Sequence, residues 1–498
     1  MKIFKHTILF IFSFLFVCNL QSQVLQTPLE QSGFKSLSTN ALLIEFIHKA
    51  EKLNPKEIKM QNLGNSALGK QMPYVVISNQ SKSKSKVKVM IFGQQHGNEP
   101  SGKEGLLLLI KYFATNPNSK LLESTDLYIV PQMNPDGGDK NTRRSGQKID
   151  LNRNHLILTA PETKNLHQLF VKILPEVTLD IHEYYPYDDT TETFDFIRIT
   201  DETIGTPTNL NVDKEIYNIS KNQVLPYVIK NVTDKQFLCG EYLLGTPVLD
   251  KSIRRSTVDI DDGRHSFGIQ NTFSFILEGK NGIDSIHNIE RRAKGQFTAA
   301  MALVEFVAAN SKMMKKTIKN ARTNLINSKY SDSVSIQMDH FKGTANLQTP
   351  MYSKSLKKDS VFVTEEFLSE VKSLKNVKRP KAYLVPKSDT LLVQFLNNHA
   401  VRYTDCKNVK KENIRRYFII ALQNDTLEGR EAILPLVKKE NFSGDFRATE
   451  YLYVPLNQLA SNLLVIAFEP ESMLGLATYS DYKYMKVVEK YFPVMRIE

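Results

Sequence analysis

Residues 93–105 read GQQHGNEPSGKEG. His96 and Glu99 stand three apart in that stretch, at the joint between two apolar runs, and both side chains bind metals. A hydrolytic zinc site takes three protein ligands from His, Asp and Glu and keeps a fourth position for water. Alone, the pair is read as readily as the polar residues of a surface loop, since H-x-x-E arises often by chance. Other segments supply matching chemistry. LDIH carries His182, and SFILE carries Glu278. NPDGG and RRSGQKIDLNRN bring Arg143, Arg144, Asn152 and Arg153.

The elements that must position these residues follow from apolar patterning. KVKVMIFGQQ (86–95) reads as a buried strand, and SGKEGLLLLIKYFATN (101–116) as a helix with Pro100 suited to its first turn. DLYIVPQMNPDGG, PEVTLDIHEYY and NTFSFILEGKNG (271–282) read as three further strands. Residues 37–53 and 289–310 have helical apolar spacing. Strands alternating with helices predict an α/β domain with a largely parallel sheet. In open sheets of that kind ligands bind beyond the carboxyl ends of the strands. Four strand ends thus bring His96, Glu99, His182, Glu278 and the Arg/Asn residues to one rim. A histidine at one strand end is commonly structural, but their joint placement is harder to assign to chance.

In that order, HGNEP, NPDG, DLNRN, DIH and FILEG resemble the zinc carboxypeptidase family, single-zinc metallopeptidases on a mixed α/β sheet. The resemblance covers about residues 55–310. It implies one Zn2+ per catalytic domain, with His96, Glu99 and His182 as its ligands. It makes Glu278 the general base and acid and Arg143 the side chain that stabilises the oxyanion, with Arg144 in reserve because the register is loose by one. It makes Asn152 and Arg153 the clamp on the substrate's terminal carboxylate, a task that suits a guanidinium's paired donors. Asp150 would orient a metal-bound imidazole from behind, with a plain surface Asp as the alternative. Three positions depart from the family pattern. Residues 250–270 hold no Tyr where members carry one that closes over substrate, His155 follows NRN, and Glu183 follows His182. His155, His265 and Glu183 are read as structural or surface residues in preference to pocket lining.

The expected organisation is a signal peptide (1–22), a catalytic domain (23–310), a basic helix end and linker (311–330) and an accessory strand-rich domain (331–498). Lys2 and Lys5 before ILFIFSFLFV, with a small-residue end near Ser22, read as a secretory signal. Cys18 raises lipid anchoring as an alternative, against which Val17 stands. No later stretch is long and apolar enough to span a bilayer. Cys239 and Cys406 are too far apart in sequence to suggest a disulfide framework. The net charge of +12 comes from lysines spread along the chain, not from an aromatic-interleaved patch, so no nucleic-acid partner is implied. Residues 311–330 carry six Lys/Arg and no acid. His340 and His399 are read as surface residues. The resulting expectation is an exported zinc metallocarboxypeptidase acting on a peptide or peptide-like substrate. Alternatives are a deacylase of the aspartoacylase and succinylglutamate desuccinylase kind, or a catalytically silent peptide-binding protein. Oligomeric state is not legible.

Overall fold

Alternation of side chains along the central strands decides the architecture, because successive residues of a strand face opposite sides of the sheet. The computed structural model describes residues 25–80, 86–186, 195–245, 250, 252–327, 333–407, 409–427 and 430–498. The proposed signal segment, with Cys18 and Ser22, lies outside the described residues.

Among the described residues, ten strands occupy the first part of the chain: β1 (Ile58–Asn65), β2 (Gln71–Ile77), β3 (Val87–Gly93), β4 (Thr125–Val130), β5 (Val177–Tyr184), β6 (Phe196–Arg198), β7 (Glu202–Gly205), β8 (Cys239–Glu241), β9 (Ile253–Arg254) and β10 (Phe273–Lys280). Eight form one sheet in the order β1-β2-β4-β3-β5-β10-β7-β8. Its centre, β4-β3-β5-β10, is parallel throughout. Antiparallel pairings join β1, β2 and β4 on one side, and β7 to β10 on the other. The sheet is mixed and largely parallel, as expected.

On β5, Val177, Leu179 and Ile181 enter the main core, as do Phe273, Phe275 and Leu277 on β10. The helices Ser101–Thr115 and Ile289–Ala309 pack on that side and share its core. Strand alternation puts Asp180 and His182, and likewise Ile276 and Glu278, on the opposite face. That face is only partly covered. The helix Pro161–Ile173 and Phe267 close one end of it through a second core with Met90, Phe92 and Phe170, and the other end is open.

The segment expected to be a helix end and linker differs. Ser311–Ile326 is a full helix with Met314, Ile318, Ala321 and Leu325 buried. Arg322 holds the carbonyls of Pro175 and Asn271 at 2.6 and 3.1 Å. The lysine density obscures an apolar stripe at helical spacing.

The C-terminal region is strand-rich. A six-stranded sheet is built from antiparallel pairings, and two shorter strand pairings reach back to the first part of the chain. β6 pairs with Met351–Ser353 in a three-stranded sheet, and β9 pairs with Phe367–Leu368. His340 and His399 are buried, contrary to expectation. His399 donates from Nε2 to the Leu156 carbonyl at 2.6 Å, so it serves the contact between the two regions.

Candidate metal centre and cleft

The chain leaves β3 abruptly. Gln94 adopts a left-handed backbone (φ 54°), uncommon for a residue with a Cβ. Its side-chain amide donates to the Gly97 carbonyl at 3.0 Å, which holds the turn. A Cβ on Gly97 would lie 2.1 Å from the Gly137 carbonyl carbon. Only glycine lets the His96 turn pack against the NPDGG turn this closely. Pro100 then leads into the helix Ser101–Thr115.

This geometry folds Glu99 back beside His96, with Nδ1 and Oε1 2.7 Å apart. His182, on β5, brings its own Nδ1 to 3.0 Å from Glu99 Oε2 and 3.2 Å from His96 Nδ1. The ligand atoms of all three lie within 4.8 Å of one another, and all three residues are buried. The outer nitrogens are held from behind. His96 Nε2 meets Asp150 Oδ1 at 3.1 Å, and His182 Nε2 meets Asp180 Oδ1 at 2.9 Å. With a metal held between the rings, the carboxylate behind each ring would keep the proton on the outer nitrogen and free the inner Nδ1 for the ion.

The electrostatics favour positive charge at the centre of the trio. Burial alone would raise the Glu99 carboxyl, yet His96 and His182 hold it well below its ordinary range. Burial would lower His182, yet Asp180 and Glu99 raise it well above. Two imidazole nitrogens and one carboxylate facing a common point are the donor set of an open zinc site, so these residues fit the ion.

Glu278 stands directly across from His182 in the parallel β5–β10 register. Burial pushes its carboxyl up to about 7. His182 and His96 oppose the shift, and Glu99 and Asp180 add to it. Arg143 reaches in from the loop after NPDGG. Its guanidinium pairs with Asp150 at 3.0 Å and lies 3.4 Å from Glu99. Arg144 takes a different course, donating to the Lys148 carbonyl at 3.1 Å in its own loop. Asn152 is buried and committed to its neighbours. Its Oδ1 accepts from the Gly263 amide at 2.8 Å and from Gln95 at 3.2 Å. Arg153 is exposed at the cleft.

Sequence reasoning missed several supporting groups. Asp180 sits inside the quoted LDIH, two residues before the histidine it orients, which was the available signal. Gln95 donates to both Asp180 oxygens at 3.0 and 2.8 Å. Tyr242 lines the cleft from beyond β8, and burial pushes its hydroxyl up to about 12. His155 is buried between Gln95 and His167, at 2.8 and 3.0 Å. His265 is buried against Asp262 at 2.9 Å. Glu183, one step past His182, points to the helix side, where it accepts from the Ser101 amide at 3.0 Å and from Arg292 at 2.7 Å.

His96, Glu99, Arg143, Arg153, Tyr242 and Glu278 line a cleft of about 400 Å³. Arg198 of β6 and Met351 of the C-terminal region form part of its wall. Residues 43–170 match the family model of zinc carboxypeptidase, so this part of the chain is similar to that metallocarboxypeptidase, peptide-hydrolase class. The matched residues include His96, Glu99, Arg143 and Asp150, and the fold adds His182 and Glu278. Among characterised relatives, carboxypeptidase 2 of Trichophyton rubrum is 26% identical over 426 residues, spanning 82% of this chain and 78% of the relative. Carboxypeptidase 2 of Trichophyton tonsurans is 24% identical over 442 residues, spanning 86% and 81%. Carboxypeptidase D of Mus musculus is 30% identical over 173 residues, 29% of this chain and 12% of that protein. Among solved structures, carboxypeptidase A from Helicoverpa armigera overlaps 56% of this chain and 75% of its own at 16% identity, with a TM-score of 0.44.

Proposed function

We propose that the protein is an exported zinc metallocarboxypeptidase that releases residues from the free C-terminus of peptides. The observation that carries this reading is the convergence of His96, Glu99 and His182, with Glu278 one strand away on the same face. A zinc ion held by that trio supplies Lewis acidity and brings the pKa of water toward about 7. Glu278 takes the proton of the attacking water and returns it to the leaving amine. Its burial keeps it near neutrality, where one carboxyl can do both. Arg143, tied to Asp150 beside the metal ligands, offers its guanidinium to the oxyanion. Arg153 takes the terminal carboxylate. Asn152 supports the site from behind, since its amide is engaged with Gly263 and Gln95. Export rests on the basic and apolar N-terminal run; no helix among the described residues is long and apolar enough to cross a membrane.

The test is to measure bound zinc and C-terminal amino-acid release for the native protein and for Glu278→Gln. The variant is expected to keep its zinc and lose turnover. Full activity with zinc retained would remove Glu278 from its role. Release of acetate or succinate from acylated amino acids, with peptides left intact, would replace the peptidase reading by the deacylase one.

A further inference from the structure

Arg264 is among the largest fully buried side chains of the molecule, 1% exposed, and it lines the cleft. It lies on the short helix Gly263–Gly268. Its Nε and Nη1 have no hydrogen-bond partner among the described residues, which leaves three of the five N–H groups of a guanidinium unmatched there. Nη2 reaches Asp262 Oδ2 at 3.3 Å, and that oxygen already takes the His265 ring proton at 2.9 Å. The Asp262 contact therefore accounts for one nitrogen and not for the other two. A buried cation with unmatched donors is strongly disfavoured unless an anion completes it.

The position of the group indicates which anion. A Cβ on Gly205 would stand 2.8 Å from Tyr242 Cβ, 3.1 Å from Ile276 Cγ2 and 3.2 Å from Arg264 Nη1, so glycine lets Tyr242 and the guanidinium pack close against the strand here. Gly205 pairs with Ile276 across β7 and β10. Ile276 and Glu278 face the same way two residues apart, about 6.6 Å along the strand. The guanidinium thus sits one same-face step deeper than the general base, within reach of a short side chain beyond the bond being cut. Tyr242 packs its ring 5.1 Å from the guanidinium carbon. That contact steadies the cation and supplies no strong acceptor for its N–H groups.

We infer that the inner end of the cleft selects peptides whose C-terminal residue is acidic, glutamate or aspartate, and that Arg264 grips the side-chain carboxylate. The inference rests on the carboxypeptidase reading above and adds its substrate class. A neutral amide of the same shape completes the guanidinium less well, and a lysine side chain meets it as a like charge.

The experiment compares kcat/KM for N-acyl-Ala-Ala-X peptides with X as Glu, Gln, Leu or Lys, using the zinc-loaded full chain and its Arg264→Met variant. The native enzyme is expected to favour Glu over Gln by about 10- to 100-fold, the range of a charge-assisted buried pair, with Lys slowest. The variant is expected to lose the Glu preference and gain on Leu while keeping its zinc. Should Arg264→Met fail to fold, inhibition of the native enzyme by free glutamate against free leucine makes the same decision. Leu or Lys peptides cleaved as fast as Glu peptides would overturn the specificity and leave the peptidase reading standing. Failure to release any C-terminal residue from any peptide would remove both.

Discussion

Asp180→Asn isolates the support behind His182, one of the proposed metal ligands. Asp180 is 1% exposed and stands 2.9 Å from His182 Nε2, with both its oxygens held by the Gln95 amide. With Gln95 donating to the single Oδ1 of the new asparagine, the asparagine turns its NH2 toward His182 Nε2. Two donors then face each other, and the ring relieves the clash by moving its proton to Nδ1. That nitrogen faces Glu99 at 3.0 Å, and a protonated Nδ1 cannot bind a cation. Loss of a carboxylate behind a ligating histidine costs about 10- to 100-fold in metal affinity, or about 1.4–2.7 kcal/mol. The proton shift places Asp180→Asn at the upper end. Competition for zinc with a chelating dye measures it without reference to turnover. Asp150→Asn, behind His96, is the companion variant. It is expected to lose less, because Asp150 also answers to Arg143 and is more open to water. Unchanged zinc affinity in a folded Asp180→Asn protein would refute the tautomer argument.

Two stability predictions concern groups away from the reacting atoms. Arg292→Met strands the Glu183 carboxylate, which is buried and held by Arg292 at 2.7 Å. Removing one partner of such a pair costs about 3–5 kcal/mol, read by urea denaturation. Adding Glu183→Gln is expected to recover part of the loss, and a single variant as stable as the native chain would contradict the assignment. Asp261 lies beside Asp259, Arg153 and Asp262, and burial followed by Asp259 pushes its carboxyl up from 3.8 to about 7. In that window the folded chain holds a proton that the unfolded chain releases, so this group's contribution falls as pH rises from about 4 to 7. The melting temperature of Asp261→Asn minus that of the native protein is therefore expected to grow over that range. A difference that is flat with pH would show that the carboxyl ionises normally.

The grouping of His96, Glu99, His182 and Glu278 at one rim was legible in the sequence because each stands at or just past a strand end, where short apolar runs announce themselves. Period-two alternation also explains why Glu183, adjacent to His182, serves the opposite face. Asp180 and Gln95 were harder to see, because a polar residue within a buried strand or turn carries no spacing signal until its partner is known. Tyr242 escaped because it lies just past β8, eight residues (250 minus 242) before the segment where a tyrosine was sought. The helix Ser311–Ile326 was obscured by its lysines, although Met314, Ile318, Ala321 and Leu325 carry the spacing of a buried face. His340 and His399 were misread because burial in a small sheet domain depends on contacts distant in the chain. Arg264 carries no spacing signal in the sequence, and only the fold reveals that its Nε and Nη1 lack acceptors among the described residues.

The pairing of β6 with Met351–Ser353 sets an order of assembly. His96, Glu99 and His182 all precede residue 200, but the strand that borders Arg198 and brings Met351 to the cleft is made some 150 residues later (351 minus 198). Long-range pairings of this kind form late, because the loop between them must be ordered first. A nascent chain would therefore carry its ligands before it had walls to sort substrates. A fragment ending at Ile326 would keep the ligands and leave Phe196–Arg198 as a bare edge, open to pairing with the wrong chain.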